Sequence, residues 1–259
     1  QTLLDTGRLN AEETADYRHR YLNALFESKQ FDTLQNLLPD YPDTADYWHA
    51  KMDLYIGNAV KGAEFFAENE HIGTQNDLLV ALLAASFHQA KRPSEKLFAR
   101  IGTDLPDSYQ PLLAVAQKLS EQNYFVALAL LKTYIDGLDD RTKGYLKPEL
   151  LASYLCMKLG NLQGAHQFLV AFENHTQNDP SCRIAIARLA KLRGDSEKLF
   201  TQLNRAFEEN LLFIPEDLTV DYLKKMYATG NTDGEGYLLA QLRQKYPENP
   251  SLALYEAEK

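Results

Sequence analysis

The chain has 259 residues, 45% of them hydrophobic, and a formal net charge of −9. That balance supplies a substantial core but argues against broad nucleic-acid binding, which depends on Lys and Arg neutralising phosphates. No run approaches the roughly 18 uninterrupted apolar residues of a membrane helix. Cys156 and Cys182 are too few for a disulfide framework, and each lies in or beside an apolar helical stretch, so buried thiols are expected. No basic-then-apolar leader follows Gln1, so any signal peptide is expected to be removed or absent, and either cytoplasm or periplasm fits.

In chain order, Asn10 with Glu13 three residues on has the form of a capping box opening a helix to about Lys29. Phe31, Leu34, Leu37 and Leu38 continue as a short second helix that Pro39 and Pro42 stop. Asp43 or Thr44 is the expected cap of a third, which carries Trp48, Met52 and Ile56 to Gly57–Asn58; Val60, Ala63 and Phe66 form its return partner. Asn76 or Asp77 is then expected to open Leu78–Ala90, which is unusually apolar and therefore predicts a helix buried on more than one side, in the middle of a stack. Pro93 and Ser94 mark the next expected turn, with Leu97, Phe98 and Ile101 beyond it. Ser108–Leu119 pairs across Gln122–Asn123 with Phe125–Ile135, and Gly137 with Asp139–Asp140 reads as a loop.

The clearest pattern lies in Leu146–Phe207. Leu146, Leu150, Leu155 and Leu159 share a helical spacing that stops at Gly160–Asn161, and Leu162, Ala165, Leu169 and Phe172 begin the return. The arrangement recurs with Ile186 and Ala190 before Gly194–Asp195, then Leu199, Leu203 and Phe207. Glycine tolerates the left-handed conformation that ends a helix, and Asn or Asp caps the next through its side-chain oxygen. Pro215 opens a helix to Ala228, Gly230–Asn231 breaks it, and Leu238, Leu239 and Leu242 lead to Tyr246–Pro247. Asn249–Pro250, Leu252 and Tyr255 predict either a capping helix over 250–259 or the start of a truncated repeat.

Glycine turns at 160, 194 and 230 stand 34 and 36 residues apart, and the 103 residues from Gly57 to Gly160 hold about three such units. Seven helical hairpins of about 34 residues follow, a period associated with tetratricopeptide solenoids. Gly160 with Ala165, Leu169 and Phe172, Gly194 with Leu199, Leu203 and Ala206, and Gly230 with Leu239 and Pro247 make the chain resemble the tetratricopeptide repeat family. The resemblance implies an all-α fold, a right-handed αα-superhelix over 1–259 with one core, best defined over 146–247. Leu199 and Glu235 depart from the usual Ala, and the N-terminal hairpins match less closely.

The resemblance also implies a non-enzymatic scaffold that binds a protein or peptide on a concave groove lined by the first helices. Mapping the last three repeats puts Tyr154, Lys158, Arg188, Lys191, Lys224 and Tyr227 on or near that lining, a set suited to an acidic, partly apolar peptide. The positions of the family's carboxylate clamp read Leu150, Tyr154, Ala185, Asp217 and Asp221, which does not support capture of a chaperone C-terminus. Two other readings are the repeat segment of a bacterial envelope secretion or polysaccharide-export assembly, and an enzyme using acids and histidines from distant hairpins. The chain has neither a Gly-x-Ser-x-Gly elbow nor a phosphate-cradling glycine loop, and its six histidines are scattered. No cofactor or metal is therefore expected. Arg193-Gly194-Asp195 matches an integrin-binding tripeptide but falls in an inter-helix turn, where Gly and a capping Asp serve the fold. Asn231, Asp233 and Gly234 resemble a calcium loop that fails at Ala240, where the bidentate acid should stand.

Overall fold

The computed structural model describes residues 11–69, 71–101, 107–176, 179–208 and 216–228, with 239, 240, 243, 252, 253 and 255. Among these residues there are helices and no strand. The first three pairs are α1 (Ala11–Glu27) with α2 (Phe31–Leu37), α3 (Pro42–Ile56) with α4 (Ala59–Glu68), and α5 (Gln75–Phe87) with α6 (Lys91–Ile101). Then come α7 (Gln110–Ser120) with α8 (Tyr124–Asp136), the short α9 (Asp140–Leu146), α10 (Pro148–Lys158) with α11 (Leu162–Thr176), and α12 (Pro180–Arg193) with α13 (Ser196–Glu208). Next, α14 (Glu216–Ala228) packs on α13. Neighbours in the chain are neighbours in space, and successive pairs also touch: α5 meets α7, α8 meets α10, and α11 meets α12.

The hairpin turns share one backbone device. Lys29, Gln89, Gln122, Gly160 and Gly194 all adopt left-handed φ, from 58° to 73°. In each, the amide of the next residue bonds back to a carbonyl five residues earlier: Gln30 to Leu25, Ala90 to Ala85, Asn123 to Lys118, Asn161 to Cys156 and Asp195 to Ala190. This is the Schellman closure, which satisfies carbonyls that a helix end would otherwise leave bare. Asn or Asp then starts the return helix at three of these turns, with Asn123, Asn161 and Asp195 accepting amides from Val126, Gly164 and Lys198. Glycine marks only two of the five positions. The turn expected near Arg92–Pro93 therefore lies earlier, at His88–Ala90, and Pro93 sits in the first turn of α6, where its missing N–H costs little.

Several expected starts also move. Neither Asp43 nor Thr44 caps α3, which begins directly on Pro42. Thr74, not Asn76 or Asp77, caps α5: its hydroxyl accepts the Asp77 amide and the Asp77 carboxylate accepts the Thr74 amide, a complete capping box. The loop expected at Gly137–Asp140 runs into α9, which Asp139 caps through the Thr142 amide. Lys147, left-handed at φ 50°, breaks α9 from α10, so Leu146 and Leu150 stand on different helices. Asn10, Pro215 and the Gly230–Asn231 break lie outside the described residues.

Helix α5 contacts α3, α4, α6 and α7, which accounts for its all-round apolar sequence. Leu79, Ala81, Leu82 and Ala85 are fully buried there. Where one core was expected, the buried side chains of the described residues form two clusters that meet at α12. Cys182, Ala185 and Leu189 close a first cluster running from Leu22, whereas Ile184, Ala187 and Ala190 open a second with Leu199, Leu203, Leu218 and Leu223. Leu252 and Tyr255, both helical and buried, join that second cluster. The hairpins do not make a simple open row either, since α12 reaches back to touch α3.

Candidate ligand-binding surface

The contact between α12 and α3 encloses an inner surface walled by first helices. On α5, residues spaced four and three apart turn Val80, Ala84 and Phe87 to one side. Leu151 and Tyr154 of α10 and Leu54 of α3 face them across an apolar pocket of about 130 Å³. Arg188 of α12 closes its rim, with the guanidinium 5.3 Å from the centre of the Tyr154 ring. The Phe87 ring centre lies 6.1 Å from that of Tyr154. An aromatic platform with a cation over its face offers apolar contact and positive potential within one residue's reach.

Tyr55, Leu146 and Lys147 also line a much larger cleft of about 1200 Å³, so the two spaces adjoin. Two charged knots hold its walls. In the first, Lys51 and Asp77 are almost wholly buried and stand 3.4 Å apart. Tyr47 donates to Asp77 at 3.0 Å, Tyr55 donates at 3.4 Å, and Lys51 donates to the Tyr47 oxygen at 3.2 Å. The Lys51 ammonium is also 5.0 Å from the Phe26 ring centre, so the buried charge has both a counterion and aromatic faces.

The second knot centres on Asp179. Its carboxylate accepts the Ser181 amide at the start of α12 and the Ser181 hydroxyl, and pairs with Lys147 at 3.0 Å and Lys29 at 3.8 Å. Burial alone would raise the Asp179 pKa, but the two lysines and Ser181 together outweigh it and hold the carboxyl below its ordinary value. The Lys147 ammonium lies 5.9 Å from the centre of the Tyr55 ring, which links this knot to the first. Residues from α1's turn, α3, α5, α10 and α12 thus converge on one interior wall.

Of the six residues expected in the groove, the structure brings Tyr154 and Arg188 together. Lys158 is exposed near the end of α10, its ammonium 5.9 Å from the Tyr124 ring centre. Lys191 pairs with Asp221 of α14 at 2.7 Å. Lys224 is exposed on α14, and the Tyr227 side chain lies outside the described residues. Among the clamp positions, Leu150 and Ala185 are buried. The apolar spacing does not reach Lys29, Lys51, Asp77, Lys147 or Asp179. The local signals for two of them are Lys147–Pro148 and Asp179–Pro180, each a residue ahead of a proline at the first helical position.

The remaining motifs resolve into the fold. Both cysteines are buried and reduced. Burial, with Glu173 and Asp179 adding to it, pushes the Cys182 thiol up to about 12, far from a reactive thiolate. In the tripeptide at 193–195, Arg193 donates to the Leu162 carbonyl at 2.9 Å, Gly194 is left-handed and Asp195 caps α13. Among the described residues no three His, Cys, Asp or Glu side chains gather in a metal-like group, and no helix is long and apolar enough to cross a membrane. The chain matches no family model, no curated protein and no solved structure.

Proposed function

We propose that the chain is a tetratricopeptide-type helical-repeat scaffold, a right-handed superhelix that binds a peptide or protein segment on its inner surface without catalysing a reaction. The repeated Schellman turns support the repeat reading, because five hairpins end their first helix in the same way. The observation that carries the binding reading is the apolar pocket walled by Val80, Phe87 and Leu151 and rimmed by Tyr154 and Arg188. A concave apolar surface with one convergent charged group is the form that a site for a single side chain takes. The partner segment presents an apolar or aromatic side chain to the pocket and a carboxylate to Arg188.

An array of short peptides varying independently in acidic and aromatic content tests this reading, probed with the parent chain and with Leu151→Asp. Binding should concentrate on peptides carrying both features and disappear in the variant. Binding that ignores peptide composition, or that survives Leu151→Asp, overturns it.

A further inference from the structure

The opposite face of α12 carries a separate groove. Arg183, Ile186, Ala190 and Arg193, spaced three, four and three residues apart, form its floor, while α11 and α13 supply the walls. It encloses about 230 Å³. Lining it are four cations, Arg183, Arg193, Lys198 and Arg205, and two carboxylates, Glu173 and Asp195, a net of +2 on a chain whose total is −9.

Both carboxylates are engaged within the fold. Glu173 accepts from Arg183 at 3.1 Å, and Asp195 accepts the Lys198 amide as the cap of α13. Arg183 is likewise held by Glu173 and Arg193 donates to the Leu162 carbonyl, which leaves the exposed Lys198 and Arg205 to supply the positive charge at the groove. A second observation concerns Gln202, which also lines the groove. It is only 8% exposed, yet its Oε1 has no hydrogen-bond partner among the described residues. A buried amide is ordinarily satisfied, so an unpartnered one in a cationic groove marks a place where a polar ligand fits.

We propose that this groove binds an oxyanion of the phosphate class, free or as a monoester. The Arg205 guanidinium fork matches the paired oxygens of such a group, and Lys198 adds a point charge beside it. A hydrogenphosphate or its ester also suits Gln202, offering an O–H to the amide oxygen or an oxygen to the amide N–H. This site lies away from Tyr154 and does not depend on peptide binding there.

Calorimetric titration with sodium phosphate, against sodium chloride at matched ionic strength, tests the proposal, with O-phosphoserine as a parallel arm. Saturable binding of either phosphate compound is expected, and the tighter one names the source. Lys198→Ala with Arg205→Ala changes two exposed positions, so helicity and melting should hold while affinity falls at least tenfold. Gln202→Glu, which places a like charge against the anion, should abolish binding. Tyr154→Ala should leave phosphate affinity unchanged even where it removes peptide binding. Absence of saturation by both compounds, or saturation unaltered in the double variant, overturns the proposal.

Discussion

The Lys29 ammonium donates to the Thr176 carbonyl at 2.6 Å, joining residues 147 apart in the chain. Lys29 also reaches Asp179, so the first hairpin turn is tied to the end of α11 and the approach to α12. Each neighbouring pair of hairpins is held by local packing, whereas this tie acts across the whole curve. Removing it should loosen the inner surface before it unfolds any hairpin. Lys29→Met is expected to cost about 1.5–3 kcal/mol, as for a hydrogen bond made by a charged donor. Hydrogen exchange should quicken at α3 and α12 more than within the α7–α8 pair, and uniform quickening would contradict this.

Asp179 gives the same closure a pH dependence. Its folded pKa is lowered, so its contribution is fully present above the unfolded value of about 3.9 and is lost as pH falls through the lower folded value. The parent chain should therefore lose stability steeply below about pH 4. Asp179→Ala leaves Lys147 facing the site without its counterion and should cost about 3 kcal/mol at neutral pH. Denaturant midpoints measured from pH 3 to 7 check both points, since the variant should show a shallower acid slope.

Gly62 marks the tightest approach between α3 and α4. A Cβ placed there would lie 2.6 Å from the Leu54 amide nitrogen and 2.8 Å from the Ala50 carbonyl oxygen. These are backbone atoms and cannot swing aside. Although Ala is the better helix former by about 1 kcal/mol, Gly62→Ala should destabilise by about 2 kcal/mol through overpacking. A thermal melt at or above the parent midpoint would show that the helices separate cheaply.

The left-handed turns permit a paired test of opposite sign. Gly160 has φ 73° with open space around its Cβ position, so Gly160→Ala meets only the conformational cost, about 1 kcal/mol. Gln122 holds the same conformation with a full side chain and is exposed. Gln122→Gly should stabilise by about 0.5 kcal/mol, the relief of strain exceeding the added freedom of the unfolded chain. Equal signs for the two substitutions in denaturant titrations would contradict the shared turn geometry.

These turns also explain what the sequence conveyed and what it hid. Helix identity follows from apolar spacing, and the all-round apolar character of Leu78–Ala85 correctly places α5 among four neighbours. Capping signals worked where Asn or Asp follows the turn, as at Asn58, Asn123, Asn161 and Asp195. They failed at Gln89, because a left-handed glutamine carries no compositional mark and Pro93 drew the boundary forward. Short α9 was hidden by the glycine and acids around it, since Asp139 serves equally as loop residue and cap. The interior charges are the least legible: what makes Lys29 and Asp179 partners is the path of the four helix pairs between them, and no local pattern encodes that distance.

Curvature also decides which basic residues of the first helices can act together. Lys191 is held by Asp221, so reversing its charge would disturb the α12–α14 contact as well as any ligand. Arg188 and Tyr154 are the informative pair, because the guanidinium stacks on the ring beside the apolar pocket. Tyr154→Ala removes the platform, and Arg188→Glu reverses the charge above it. Each should weaken binding of an acidic, aromatic peptide by about tenfold, near 1.4 kcal/mol, while changing stability by less than the Gly62 substitution. Their coupling is the sharper measure. Arg188 and the Tyr154 ring are in contact, so the double variant should lose less than the sum of the two single losses. Strict additivity in the binding cycle would mean that the cation and the ring act on the peptide separately, and the pocket would not be the joint recognition element assigned to it.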